Sequence, residues 1–140
     1  MSPLIRPAGP DDAADLFVLA QALATSFEPR RDAFDESFAA LLKTETARVL
    51  VATDHSGLCG YLLGFTHQTF YANGPVAWVE EVMVDERVRR SGVGAALMAE
   101  FESWAADRGA ALVALATRRA APFYQALDYE ESATYFRKLL

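Results

Sequence analysis

Glu80 and Glu81 stand side by side in Val76-Ala-Trp-Val-Glu-Glu-Val-Met-Val84, a run otherwise built of apolar and β-branched residues. Two carboxylates inside such a run are costly unless paired, solvated or used, and one in use there is a proton acceptor. The run is followed by Asp85-Glu-Arg-Val-Arg-Arg-Ser-Gly-Val-Gly94, a basic loop ending in two glycines, and by the amphipathic segment Ala95 to Trp104. A helix that opens on bare backbone amides attracts anions, because its first N–H groups lack intrahelical partners and the macrodipole adds positive charge. With Arg87, Arg89 and Arg90 beside it, the loop reads as a seat for the pyrophosphate of a nucleotide-containing ligand.

The two commonest phosphate loops do not fit. A dinucleotide fingerprint needs a third glycine, but Gly92-Val-Gly94 is followed by Ala95-Ala-Leu97. A P-loop needs a lysine after its last glycine, and none follows Gly94. His55 and His67 have no second ligand at metal spacing nearby, so neither a metal site nor a Ser-His-Asp triad is expected.

These residues have to be positioned by a framework that the rest of the chain outlines. Leu4-Ile-Arg6 is a short strand closed by Pro7 and the Gly9-Pro10 turn. Asp11 or Asp12 caps a helix to about Thr25, with Leu16, Leu19, Ala20, Leu23 and Phe27 on one face, and Pro29 stops it. Phe34, Phe38, Leu41 and Leu42 make a second helix over about 31–43. Arg48–Thr53 and Leu58–Phe65, the latter extending as far as Tyr71, form a hairpin around Asp54-His-Ser-Gly57. Gly60 and Gly64 mark bends or close backbone approach. The strand from Val76 to Val84, a helix from Gly92 to about Arg108 and the apolar run Ala110–Ala116 make a parallel βαβ unit with right-handed crossover. A short helix over 119–127 and one or two strands from Tyr129 to Leu140 complete the chain.

Composition narrows the partners. The chain of 140 residues, 52% hydrophobic and 23% charged, reads as one domain over 1–140 with a core that needs no staples. A formal net charge of −6 argues against nucleic acid or a membrane surface as partner. The single Cys59, the absence of a long apolar segment and an opening without a signal-peptide core favour a cytoplasmic protein.

Arg89-Arg-Ser-Gly92-Val-Gly94, placed after the strand, matches R-x-x-G-x-G, and Thr117-Arg-Arg-Ala120-Ala-Pro-Phe123-Tyr124-Gln-Ala-Leu127-Asp-Tyr129 lies on its far side. The pair resembles the pyrophosphate loop and the N-x-x-A-x-x-F-Y-x-x-L-G-F/Y motif of the GNAT superfamily of acetyl-CoA-dependent N-acyltransferases. The opening Leu4-Ile-Arg-Pro-Ala and the Val49–Thr53 and Gly60–Gly64 strands fit as well, so the resemblance spans essentially the whole chain. Thr117 stands where the family often has Asn, and Asp128 where it has Gly. Asp tolerates a left-handed turn better than most residues, so that turn is still expected.

The resemblance implies an α/β (α+β) GNAT fold: a mixed, mostly antiparallel sheet of about six or seven strands, splayed at a central parallel pair, with helices on both faces. It implies acetyl transfer from acetyl-CoA to a primary amine, a small molecule being favoured, by direct attack and without a metal. Arg89, Arg90, Ser91, Gly92, Val93, Gly94 and Ala95 would hold the pyrophosphate. The backbone of Val82, Met83 and Val84 would bind the pantetheine arm as an added strand, with Thr117 also at the cofactor. Tyr124, whose phenol is protonated at neutral pH, would be the acid for the departing thiolate.

Strict alternation puts Glu80 with Trp78 and Val82 on one face and Glu81 with Val79 and Met83 on the other. By register from Val84 the resemblance favours Glu80 as base. By the same resemblance the acceptor pocket would be walled by the first two helices and the loop between them, Phe27 to Phe34, together with the third and fourth strands and the chain's end, with Phe27, Glu28, Phe34, Phe70, Tyr71 and Trp78 as its aromatic and acidic lining. Cys59 lies outside both motifs, which disfavours a covalent acetyl-enzyme. A non-catalytic CoA-binding or regulatory domain, or an enzyme for protein N-termini or lysines, are the alternative readings, and a homodimer through the sheet edge or C-terminal strands is compatible with any of them.

Overall fold

The computed structural model describes residues 3–140. Strand β1 (Leu4–Pro7) leads through a short 3-10 turn into helix α1 (Ala13–Leu23), and helix α2 (Arg31–Leu42) follows. Strands β2 (Ala47–Asp54), β3 (Gly57–Gln68) and β4 (Pro75–Val84) are consecutive in the chain and adjacent in the sheet. Helix α3 (Val93–Asp107) crosses over to β5 (Val113–Leu115), and α4 (Ala121–Ala126) follows. The sheet order is β1-β2-β3-β4-β5, antiparallel except for the parallel β4–β5 pair.

Period-two alternation along β2 and β3 divides the core in two. Leu50, Ala52 and Leu62 face α3, where they pack with Leu97, Met98 and Phe101. Val49, Val51 and Tyr61 face the opposite side, against Leu16 and Leu19 of α1 and Phe38 of α2. At Gly64 α3 comes close to the sheet: a Cβ there would lie 2.3 Å from a ring carbon of Phe101. The glycine is the socket for that ring.

Two expectations about chain ends need correction. Among the described residues five strands form, not six or seven, because residues 129–140 carry no strand. That segment is instead drawn across the sheet by side chains: Tyr135 stacks on Trp78 at 6.4 Å between centroids, and Arg137 donates to Ser26 Oγ at 3.0 Å. Such anchors hold the segment without a backbone ladder. β3 stops at Gln68, since Thr69 turns the chain by hydrogen bonding to Gly74 O, and Phe70 and Tyr71 sit exposed in that turn.

Asp12 also departs from its expected role. Its carboxylate does not cap α1 but accepts both Arg6 Nη1 and Nη2, at 2.8 and 2.9 Å, together with the Gly9 amide at 2.8 Å. Those hydrogen bonds from Arg6 hold the Asp12 carboxyl below its usual range. A depressed folded-state pKa contributes stability that is complete above the unfolded value of about 3.9 and is lost as pH falls through the folded value. Arg6→Ala is therefore expected to cost about 1–2 kcal/mol at pH 7 in urea titrations. The difference from wild type should hold down to about pH 5 and shrink below about pH 4; a difference that grew in acid would refute the assignment.

Among the described residues no helix is long and apolar enough to cross a membrane.

Candidate active site

The acidic pair is placed by an irregularity in β4. Leu63 pairs with Glu81 but the next residue, Gly64, pairs with Val79, so Glu80 is an extra residue on the β4 side. A bulge of this kind breaks alternation. Ala77 and Val79 before it and Val82 and Val84 after it all pack on the α3 side, so the odd-numbered face becomes the even-numbered one. Glu80 and Glu81 consequently share the α1–α2 side, where both line one cavity. The expectation that they point to opposite faces is wrong because it assumed an unbroken strand.

The two carboxylates differ in environment. Glu80 is exposed, and its Oε1 accepts the Trp78 indole N–H at 3.3 Å. Glu81 is half-buried and accepts the phenol of the buried Tyr61 at 2.6 Å. Burial first, and then the charge and hydrogen bond of Glu81, push the Tyr61 phenol far above its ordinary value, so it remains a donor.

The cavity, about 640 Å³, lies between α1, α2 and the sheet. Its walls come from the α1–α2 connection at Thr25–Arg30, from Tyr61 and Leu63 of β3, from the acidic pair and from Arg137 near the chain's end. These are the elements named for the acceptor wall, but the residues differ. Phe27 and Phe34 line it, whereas Glu28, Phe70, Tyr71 and Trp78 do not. Phe38, Tyr61 and Arg137 were missed. Phe38 and Tyr61 were legible as apolar-face residues only, and Arg137 reaches the cavity because the last segment crosses the sheet instead of joining it.

At the bulge β4 also parts from β5. The parallel register ends at Val79 with Leu115, while β4 continues to Val84 paired only with β3. The outer edge of Val82, Met83 and Val84 therefore has no strand beside it. Beyond this edge Asp85 accepts the Arg87 amide at 3.1 Å, and Arg87 pairs with Asp54 at 3.1 Å, clamping the loop to the β2–β3 hairpin. Arg89 Nε donates to Val84 O at 3.2 Å, and Ser91 Oγ donates to Val88 O. Arg90, at φ +68°, is one of few non-glycine residues in the left-handed region, a conformation that costs about 1–2 kcal/mol and recurs at ligand clamps. Gly92, at φ +89°, caps α3, whose ladder begins with Ala96 N–H donating to Gly92 O. The amides of Val93, Gly94 and Ala95 thus precede the ladder and are the helix's free donors.

On the other side, α4 is docked on α3. A Cβ on Gly94 would lie 3.1 Å from Phe123 Cζ, and the Tyr129 phenol donates to Glu102 at 2.6 Å. Thr117 Oγ1 accepts the Ala120 amide at 3.0 Å at the entrance to α4, and Asp128 adopts φ +70° after it, the left-handed turn expected there. Tyr124 is half-buried between Phe123 and Tyr129, at 4.9 and 5.9 Å between ring centroids, and burial raises its phenol pKa. It packs against the α3-side core and is not part of the cavity lining. The acidic pair and Tyr124 thus stand on opposite faces of the sheet, which is open between them only where β4 and β5 part. Cys59 is buried in the α3-side core, donating to Ala52 O at 3.4 Å, with no place on the cavity wall.

No curated protein matches the chain by sequence. Solved structures do match over nearly its full length. A transcriptional regulator from Bacillus halodurans C-125 aligns at TM-score 0.88 and 20% identity, covering 99% of this chain and 100% of that one. Glucosamine-6-phosphate N-acetyltransferase from Arabidopsis thaliana aligns at TM-score 0.88 and 17% identity, covering 99% of each chain. Aminoglycoside 6'-N-acetyltransferase AAC(6')-Ih from Acinetobacter baumannii aligns at 0.80 and 21%, again over 99% of each. At such identities these likenesses establish the fold. The family described as Acetyltransferase (GNAT) family matches residues 15–129, which include both glycine loop and Tyr124 segment, and the chain belongs to that family.

Proposed function

We propose that the protein transfers an acetyl group from acetyl-CoA to a primary amine by direct attack, with the amine bound in the cavity beneath α1 and α2. One observation carries this reading: the β4 bulge turns two carboxylates into a cavity at the point where β4 leaves β5 and its edge lies free beside an anion-binding helix mouth. Acetyl-CoA supplies the acyl group as a thioester. The free amides of Val93, Gly94 and Ala95, the left-handed turn at Gly92, and Arg89, Arg90 and Ser91 suit its pyrophosphate. The unpaired edge of Val82, Met83 and Val84 suits the pantetheine amides, and one N–H of that edge suits the carbonyl oxygen as negative charge develops on it. Thr117 shapes the entrance to α4 beside it.

The amine attacks the carbonyl carbon, the C–N bond forms and the C–S bond breaks. Alkyl ammonium groups have pKa near 10.4, so the nucleophile needs a proton acceptor at neutral pH. Glu80, with an exposed carboxylate facing the cavity, takes that proton directly or through water. Glu81, held by Tyr61, provides fixed negative charge for the ammonium before it is deprotonated. The Tyr124 phenol gives its proton to the departing thiolate. Burial raises its pKa, which favours the protonated form, so no descending limb is expected in the pH–rate profile below about pH 10.

Thiol release from acetyl-CoA with a panel of amines, checked by the mass of the acetylated product, tests the activity. Tyr124→Phe is expected to lower kcat about 100-fold with KM for the amine little changed, as loss of one general acid does. Binding of CoA with no thiol release from any amine would show a non-catalytic domain.

A further inference from the structure

We infer that the acceptor is a primary monoamine carried on an aryl or branched-alkyl body, and not an amino sugar, a polyamine or an amino acid. The inference rests on the reading of the cavity as the amine site and narrows it to a chemical class. Leu16, Leu23, Phe34, Phe38, Leu41 and Leu63 dominate the walls, and Phe34 stacks on Phe38 at 5.6 Å between centroids. A surface of this kind rewards each methylene removed from water by about 0.8 kcal/mol, a factor of about four in affinity.

The polar groups on the wall are few, and several are engaged. The Tyr61 phenol is donated to Glu81, and Ser26 Oγ accepts Arg137. Among the remaining lining residues only Thr25 and Ser37 offer hydroxyls. A hexosamine brings several hydroxyls, and each one set against the apolar wall without a partner costs about 1–3 kcal/mol. Thr25, Ser37, the acidic pair and the two arginines are the partners left for them, and most of the wall is apolar.

Charge sorts the remaining candidates. The only acids on the wall are Glu80 and Glu81, adjacent at one end, so there is one place for one ammonium. Arg30 and Arg137 are the only bases on it, and they repel a second cation. The carboxylate of an α-amino acid is one carbon away from its amine and would therefore sit against the acidic pair that holds the ammonium, where like charge repels it. A volume of about 640 Å³ accommodates a phenyl or indole ring with a two-carbon linker.

Calorimetry with the CoA-loaded protein decides it, run beside thiol release with acetyl-CoA. Phenethylamine and 3-methylbutylamine should bind at least 30-fold more tightly than ethanolamine, about fourfold per added buried methylene. Glucosamine 6-phosphate, spermidine and phenylalanine should each bind more weakly than phenethylamine. Ala33→Leu, which adds volume on the α2 wall, should weaken phenethylamine about tenfold and shift the order toward shorter amines. Tighter binding of any of the three polar or multiply charged compounds than of phenethylamine overturns the inference. If the apolar amines bind in the expected order but no amine releases thiol, the acetyl-transfer reading fails while the class of ligand stands. If thiol is released fastest with glucosamine 6-phosphate, the reverse holds.

Discussion

Glu80→Gln is expected to lower kcat/KM for amine acetylation about 100-fold at pH 7, the range in which a positioned general base contributes. The substitution is nearly isosteric, and Glu80 is an exposed bulge residue outside both cores, so its effect on stability should stay within about 0.5 kcal/mol. The pH profile separates a base from a merely structural acid. Without an acceptor the rate follows the fraction of neutral amine, rising about tenfold per pH unit toward the amine pKa near 10.4. The variant should therefore climb steeply from pH 7 to 9 while wild type levels off, and the two should converge in alkali.

Glu81→Gln provides the contrast. Its side chain keeps an oxygen to accept the Tyr61 phenol but loses the charge, so KM for the amine should rise about tenfold with kcat less affected. A profile in which Glu81→Gln shows the steep climb and Glu80→Gln behaves as wild type would move the base to Glu81.

The second large effect is expected at Gly64, through packing. Gly64→Ala should cost about 2–3 kcal/mol in urea unfolding, the upper range for overpacking a filled core. The added Cβ would lie 2.3 and 2.5 Å from two carbons of the Phe101 ring and 3.0 Å from Trp78 O. That ring is wholly buried and leans on Trp104 at 5.4 Å between centroids, so it has nowhere to retreat without moving α3. Phe101→Leu in the Gly64→Ala background should return more than 1 kcal/mol relative to the sum of the two single changes, because the clash and the ring are removed together. Additivity of the two would refute the socket. Gly64 also pairs with Val79 at the shift in register that exposes Glu80, so kcat/KM of the folded Gly64→Ala protein should fall as well.

The backbone of the glycine loop and of the turn after α4 was legible because it is set by local structure. A strand end, a short basic loop and a glycine opening a helix specify their own backbone, and Gly92 at φ +89° and Asp128 at φ +70° sit where the chain needs turns. The helices and the order of β1 to β4 followed from periodicity for the same reason. The lining of the cavity was less legible. Phe70 and Tyr71 look like wall residues by type, yet the hydrogen bond of Thr69 to Gly74 throws them into an exposed turn. Arg137 carries no sign of its contact in its neighbours; it reaches Ser26, distant in sequence, because the last segment does not join the sheet.

The acidic pair shows the division most clearly. Sequence alone determined that Glu80 and Glu81 lie in a strand beside a basic loop that opens a helix on a glycine, since residue type and spacing fix both. Which way each carboxylate points depends on one unpaired residue in the β3–β4 register, and a register is a property of two strands held together, with Gly64 receiving Phe101 from a third element. A one-residue slip inverts every side chain beyond it, so no reading of β4 by itself could put both carboxylates in one cavity; only the packed sheet did.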